Sequence, residues 1–251
     1  DQGMKLSLVT SSFNSGATIR ETLDSVRAQS HLPFEYIVID GGSTDETLEI
    51  LEEYSDVITK VVSESDDGIY DALNKGIAWS TGDIVGLLHS DDLFANLDVL
   101  GNVMRTFEET SADAVYGDLD YVEREDIRKI TRKWRSRNFE KNLFYNGWMP
   151  AHPTFYLRRE HYETYGGYRT DMRISADYEL MLRMLLKHGH KAVYIPEVLV
   201  KMREGGESNA SLKNRLKANR EDRMAWRVND IKPRFFTSIL KPLSKLKQFF
   251  S

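Results

Sequence analysis

The chain has 251 residues, a formal net charge of -5 and no cysteine, long enough for one large core or for one domain with an appendage. The acidic balance argues against nucleic acid as a partner, and the missing thiols exclude disulfides and thiolate metal sites, so a metal must take oxygen or imidazole ligands. No apolar run approaches the roughly 20 residues a membrane-spanning helix needs, and no signal peptide is expected ahead of the first strand.

Asp1-Gln2-Gly3, ahead of Met4, is set aside as an expression remnant. KLSLVTSSFNS then opens as an apolar strand ending in small polar residues. Ile19, Leu23 and Val26 follow at helical spacing. FEYIVIDGG repeats the strand, and Ser43 and Glu46 stand in capping-box register, which predicts a helix N-terminus directly after Gly41-Gly42. ITKVVSE predicts a third strand and GIYDALNKGIAWS a helix. DIVGLLHSDD predicts a fourth strand whose near-continuous apolar character suits a sheet covered on both faces. This alternation implies right-handed crossovers and a mainly parallel sheet, in which ligands sit beyond the carboxyl ends of the strands.

The second half continues with a helix in NLDVLGNVMRTFEE, strands in DAVYGDLDYV and IRKITRKW across a charged turn, and a strand in HPTFYLRR. In ISADYELMLRMLLKHG, Leu180, Met181, Met184 and Leu185 recur at helical spacing and place Asp177 in the first turn. KAVYIPEVLVKMRE returns as a strand. A long charged helix, SNASLKNRLKANREDRMAWRV, and the tail KPRFFTSILKPLSKLKQFF follow.

Carboxylates gather at the strand ends: Asp40 after the second, Asp66 and Asp67 after the third, Asp91 and Asp92 after the fourth, with Asp118 and Asp177 later. Asp45 and Asp67 suit plain turn or cap roles. Adjacent carboxylates repel unless they are hydrated or a cation holds them. Mg²⁺ and Mn²⁺ take one or two protein carboxylates and complete their shell with phosphate, an economy that Asp91 and Asp92 fit.

Taken in this order and spacing, TSSFNS, IDGGSTDET, ESDDGIYDALNKG, TGDIVGLLHSDD and ISADYELMLR resemble the family 2 glycosyltransferases. DGIYDALNKG, MPAHPTFYLRR and GGES further resemble the bacterial members that build colanic-acid-like and other surface polysaccharides. The likeness runs from Lys5 to about Asn209. It implies a GT-A fold over 4–206: an α/β architecture with a Rossmann-like, mainly parallel sheet flanked by helices. Its nucleotide-binding half would span about 4–95 and its acceptor-side half about 96–206, with a basic amphipathic helical extension over 207–251. The first loop, through Thr10, Ser12 and Asn14, and Asp40 would cradle the base and ribose of a nucleotide-sugar. Asp66, Asn74 and Lys75 would face the same pocket. Asp91 would lie near the ribose, with Asp92 the firmer ligand of a divalent metal, Mn²⁺ or Mg²⁺, and Asp177 would be the catalytic base. Two positions depart from the commoner pattern: Ala176-Asp177 stands where Glu-Asp is frequent, and His89 stands where many members carry Asp or Asn.

The chemistry agrees with these roles. Sugar transfer needs a stabilised diphosphate leaving group and a base facing the anomeric carbon from the other side, which inverts the configuration in one displacement. His152 would line the acceptor pocket or be satisfied locally. Trp148 and Tyr168 would stack on sugar rings or pack in the core. Arg203, before Gly205-Gly206, would meet the diphosphate from a closing loop or remain a surface charge. Lys232 to Ser251 carries Lys232, Arg234, Lys241, Lys245 and Lys247 among Phe and Leu residues and no acid. That segment suits an anionic membrane surface, or packing on its own domain or on a second subunit of a homodimer.

The expected activity is transfer from a nucleotide-diphosphate sugar, with UDP as the nucleotide, to a saccharide or lipid-linked acceptor. The expected location is cytoplasmic, peripheral on the inner face of the cytoplasmic membrane. A sugar-phosphate nucleotidyltransferase would carry a basic first loop, and here TSSFNSG has no cation before Arg20. Adjacent Asp91-Asp92 cannot flank a bond at the roughly 5 Å or more that a glycoside hydrolase requires. Asp92 and Asp177 together argue against a non-catalytic sugar-nucleotide-binding protein.

Overall fold

The computed structural model describes residues 3–205 and 212–246. The apolar strands of the first half lie in the core: Leu8, Val9, Ile37, Val38, Ile39, Ile84 and Val85 are buried. They belong to β1 (Leu6–Ser12), β2 (Glu35–Asp40), β3 (Lys60–Ser63) and β4 (Ile84–Leu87), which pair in parallel in the order β3-β2-β1-β4. The crossovers are α1 (Ile19–Arg27), α2 (Thr47–Glu52) and α3 (Ile69–Trp79). α1 buries Ile19, Leu23 and Val26, the stripe its spacing predicts. α3 sits close on the sheet because Gly76 has no Cβ, which would overlap the Val9 side chain.

The second half adds β5 (Leu93–Phe94), α4 (Val99–Thr110), β6 (Ala114–Val122), β7 (Ile130–Trp134), α5 (Lys141–Tyr145), β8 (Tyr156–Arg158), α6 (Arg159–Tyr165), α7 (Ala176–Met181) and β9 (Ala192–Arg203). The sheet runs on as β4-β8-β6-β9-β5, with β7 pairing β6. β8 is antiparallel to β4 and β6, β9 is parallel to β6, and β5 and β7 are antiparallel to their partners. Six of the nine strands thus share one direction, and the acceptor-side half is the mixed part.

Three local expectations change. Ser43 and Glu46 form no capping box: the Ser43 hydroxyl donates to Asp40 Oδ1 at 2.5 Å. Asp45 Oδ1 instead takes the Thr47 N–H and hydroxyl where α2 begins. HPTFYLRR is a strand only over its last residues, because His152–Thr154 form a 3₁₀ turn in which Pro153 has no N–H for a ladder. β5, α5 and α6 are additional elements too short for a periodic signal.

α7 continues as a π-helical stretch, Leu182–Lys187, and α8 (Leu212–Val228) packs across it. Trp226 Nε1 donates to Tyr178 OH, and the Asn229 amide to Glu179 Oε1. α9 (Thr237–Leu246) runs through Pro242. It docks through the Thr237 hydroxyl on Tyr145 O and through Lys241, which pairs with Asp222 at 2.6 Å over the Tyr178 ring. Gly147, at φ 80°, permits this approach, since a Cβ there would fall on the Lys241 backbone. Lys241 therefore faces inward rather than joining a basic outer surface. The 206/207 boundary, most of GGES and residues 247–251 lie outside the described residues.

Candidate active site

The loops beyond β1, β2 and β4 are laced into one rim. Asn14 takes a left-handed backbone at φ 46°, which its short polar side chain tolerates. It accepts the Thr44 N–H on Oδ1 and donates its own N–H to Ser43 Oγ. The Ser15 N–H donates to Thr47 Oγ1, its hydroxyl pairs with that of Ser90, and Thr22 Oγ1 donates to Asp92 O at 2.6 Å. Asp40 lies beneath, accepting from Ser12, Gly42, Ser43 and Ser63. Burial alone would raise its pKa, but these donors outweigh burial and hold the carboxyl below the usual range.

At the turn after β4, Asp92 is 1 % exposed. Neither of its carboxylate oxygens meets hydrogen-bond geometry with a donor among the described residues. Burial first, then the neighbouring charge of Asp91, push this carboxyl well above the ordinary value, with only the Arg203 backbone N–H acting the other way. A buried carboxylate without donors is costly unless a cation satisfies it, so the residues present fit a divalent metal held by Asp92, with half-buried Asp91 beside it. Asp91 Oδ2 lies 4.0 Å from Arg124. His89 Nδ1 is also buried and unpartnered. Burial lowers the His89 pKa against the opposing charges of Asp91 and Asp177.

Asp177 stands in the first turn of α7, as its spacing predicts. Its Oδ1 accepts the Tyr178 N–H at 2.8 Å and lies 3.5 Å from Tyr70 OH, while Oδ2 lies 3.3 Å from His152 Nδ1. The side chain keeps 20 % exposure. Burial pushes the Tyr121 phenol up to about 12, with Arg132 opposing and the charges of Asp92 and Asp177 adding. Asp92 and Asp177 are therefore both near enough to this one phenol for their charges to act on it.

The remaining candidates are placed less uniformly. Asp66 accepts the Gly68 N–H and lies against Gly41, where a Cβ would strike its Oδ2. Ser12 reaches Asp40, whereas the buried Thr10 hydroxyl pairs with Tyr36 OH. The Asn74 amide both donates to and accepts from the backbone of Tyr168, whose ring is buried and stacked on Tyr70. Lys75 pairs with Glu64 and Asp71. Trp148 packs with Tyr116, Phe139 and Phe144. Arg203 is neither a surface charge nor a loop tip: it is buried, donates to Asp91 O at 2.7 Å and Arg124 O at 3.1 Å, and pairs with Glu21. It thereby ties the end of β9 to the turn that carries Asp91, and burial lowers its pKa.

Residues not singled out in the sequence complete the site. Tyr70 comes from α3, and Phe13, 62 % exposed, stands beside Gly41. Arg132 is buried against the Tyr121 ring. Its signal is the alternation in β7, where Arg132 and Trp134 are buried and Lys133 between them is exposed. A second group of candidate ligands lies at the opposite end of the sheet, before β6 and β9. Ligand atoms of Asp113, His161 and His190 fall within 4.8 Å of one another there. His161 pairs with Asp113 at 2.9 Å, and the two imidazoles stack at 3.8 Å.

A largely parallel sheet with carboxylates gathered beyond its strand ends defines an α/β enzyme whose ligand lies across those ends. The chain belongs to glycosyl transferase family 2, whose model matches residues 7–166, well over half of its length. It is accordingly a glycosyltransferase. A PGL/p-HBAD biosynthesis glycosyltransferase of Mycobacterium bovis is 29 % identical over 209 residues, covering 81 % of this chain and 78 % of that protein. An uncharacterized glycosyltransferase of Mycobacterium tuberculosis is 33 % identical over 183 residues, covering 72 % of this chain and 69 % of its own. Among solved structures, S. aureus TarS 1-349 in complex with UDP-GlcNAc matches with a TM-score of 0.69 at 19 % identity; the match covers 90 % of this chain and 65 % of that one. The mannosyltransferase PcManGT from Pyrobaculum calidifontis, in complex with GDP-Man and Mn²⁺, matches with a TM-score of 0.66 at 23 % identity over 98 % of this chain and 70 % of its own. These likenesses establish the GT-A fold.

Proposed function

We propose that the protein is an inverting glycosyltransferase that moves a sugar from a nucleotide-diphosphate donor, a UDP-sugar, to a hydroxyl of a saccharide or lipid-linked saccharide in bacterial surface-polysaccharide assembly. The carrying observation is the contrast between Asp92, buried with no hydrogen bond in good geometry to its carboxylate oxygens among the described residues, and part-exposed Asp177, the charges of both acting on Tyr121. The first calls for a cation and the second can take a proton. Nucleotide-sugars bound in the complexes of TarS and PcManGT support the donor class.

In this reading Asp92 and Asp91 hold Mn²⁺ or Mg²⁺, which supplies Lewis-acid stabilisation of the diphosphate. Thr10, Ser12, Asn14, Asp40 and Asp66 shape the nucleotide pocket, and the exposed ring of Phe13 offers a face to the base. Asn74 and Lys75 brace the pocket's outer wall, and Arg203 fixes the turn that carries Asp91. Asp177 removes the acceptor hydroxyl's proton, oriented by Tyr70 and His152. Trp148 and Tyr168 back the acceptor side. A second catalytic carboxylate for a covalent route is not required, because the attacking hydroxyl and the diphosphate occupy opposite sides of the sugar.

The segment leading into α9 and the outer face of that helix support a membrane setting for the acceptor. Phe235, Phe236, Ile239 and Leu243 are exposed, and an apolar outer face beside Lys232 and Arg234 suits the inner surface of the cytoplasmic membrane. No helix among the described residues is long and apolar enough to cross a membrane. A thermal-shift screen of nucleotides and nucleotide-sugars with and without Mn²⁺ tests the reading. Stabilisation by a nucleoside diphosphate that grows with metal is the expected result, and no response to any of them would overturn it.

A further inference from the structure

We infer that Glu221 on α8 is a positioning residue for Asp177, an inference that rests on the reading of Asp177 as base. Glu221 is 7 % exposed. Its carboxylate takes three consecutive backbone N–H groups immediately ahead of α7: Arg173 at 3.0 Å on Oε1, and Ile174 and Ser175, both at 2.8 Å, on Oε2. No side chain at the N-cap of α7 makes a capping hydrogen bond, so the segment that launches the helix is held from another helix. A buried anion with three donors is a stiff anchor, because charge-assisted hydrogen bonds are stronger than neutral ones and leaving such donors unmet is costly.

The held segment runs directly into the base. Ser175 O accepts the Glu179 N–H to begin the helix, and Ile174 O accepts the Tyr70 hydroxyl that stands beside Asp177 Oδ1. The Arg173 guanidinium donates to Asp67 O in the loop after β3. Three backbone positions and two side chains thus tie α8, α7 and the nucleotide-side loop into one unit. The long charged helix that reads in sequence as an extension belongs to the machinery that places the base, and displacing the Glu221 carboxylate displaces Asp177 relative to the donor.

The test is a double-mutant cycle on the full chain, reading transfer rate, donor KM and nucleotide-dependent thermal shift. Glu221→Gln keeps the volume but turns an amide NH₂ toward N–H donors. It is expected to lower kcat by about a hundredfold, the loss expected when a reacting group moves by about 1 Å, with donor KM and the thermal shift unchanged. In an Asp177→Asn background the same substitution adds no further loss of residual transfer, because the group it positions is already disabled. If Glu221→Gln does not fold, Glu221→Asp, with its charge one methylene short, is expected to keep the thermal shift and show an intermediate loss of kcat. Wild-type kcat in a folded Glu221 variant, or a full additional loss on top of Asp177→Asn, overturns the positioning role while leaving the base intact. Wild-type transfer by Asp177→Asn alone overturns the base reading and the inference with it.

Discussion

His152 Nδ1 lies 3.3 Å from Asp177 Oδ2, and Trp134 meets the same imidazole edge-on with ring centroids 6.0 Å apart. The turn that carries His152 contains Pro153, so backbone and ring are both constrained. In the proposed mechanism His152 orients one oxygen of Asp177, while that carboxylate remains partly open. Asp177→Asn is expected to reduce transfer by about 10²–10⁴-fold, the usual worth of a general base. His152→Ala should cost about tenfold, corresponding to about 1.4 kcal/mol for one polar contact to a charged group. Steady-state rates at saturating donor check both, and a His152→Ala loss equal to that of Asp177→Asn would contradict an orienting role.

Asp92 makes function and stability pull in opposite directions. Its buried oxygens lack donors, so without a cation the carboxylate weakens the fold by about 1–3 kcal/mol. Asp92→Asn is expected to raise the melting temperature of metal-free protein, at about 2–4 °C per kcal/mol for a chain of this size, while abolishing both transfer and the response to Mn²⁺. Differential scanning fluorimetry with chelator and with metal separates the effects. A lower melting temperature in chelator would show that the carboxylate is satisfied by the polypeptide after all.

How much of this was legible follows from the range of the interactions. The strand-helix alternation from β1 to β4 is local, so the periodicity of Ile19, Leu23 and Val26 and the apolar runs around Val38 and Val85 suffice to read it. Asp40, Asp91 and Asp92 stand out because strand ends are where a parallel sheet binds ligands, whereas Asp177, in the first turn of α7, was marked by the family resemblance. The Ser43 capping box failed because a competing acceptor, Asp40, lies on the preceding strand and captures the hydroxyl. Glu221 and Tyr70 carry no local signal, since each gains its role only when α8 and α3 pack against the segment ahead of α7, whereas Arg132 has only the alternation of β7 to mark it. The inward turn of Lys241 is of the same kind: composition shows a basic tail, and only packing shows that Asp222 claims one of its cations.

Phe13 provides a test of the nucleotide pocket that leaves the core untouched. Its ring is largely exposed beside Gly41 and Asp66, and an aromatic platform contributes about 1–3 kcal/mol per stacked base. Phe13→Ala should raise the donor KM roughly tenfold or more, with kcat and melting temperature preserved. A lowered melting temperature with unchanged donor KM would assign the ring to packing.

Asp40 sets a pH limit on the rim. Its folded-state pKa is depressed below the unfolded value, so the carboxylate contributes stability that is present above the unfolded pKa of about 4 and is lost as pH falls through the lower folded value. Asp40→Asn is expected to destabilise the protein at neutral pH and to flatten part of the acid-side decline. Urea midpoints measured from neutral pH down through the carboxylate range show it, and parallel curves for the two proteins would remove Asp40 from the account.

The outer face of α9 gives the last test. Thr237 and Lys241 are one turn apart and both buried, whereas Ile239 and Leu243, two positions further along and so about 200° around the helix, are exposed. Docking thus consumes the polar stripe and leaves the apolar one outside, the reverse of an ordinary surface helix, with Phe235 and Phe236 extending the patch. A lipid interface accepts that inversion, and exposed Lys232 and Arg234 add attraction to anionic headgroups. The full chain is expected to co-sediment with vesicles containing phosphatidylglycerol more than with neutral ones, and Phe235→Ser with Phe236→Ser should abolish binding without altering transfer to a soluble acceptor. Lys241→Gln should instead lower the melting temperature, because that lysine holds Asp222. If no vesicle binds and the two Phe substitutions dissolve a dimer in analytical ultracentrifugation, the face belongs to a second copy of the chain.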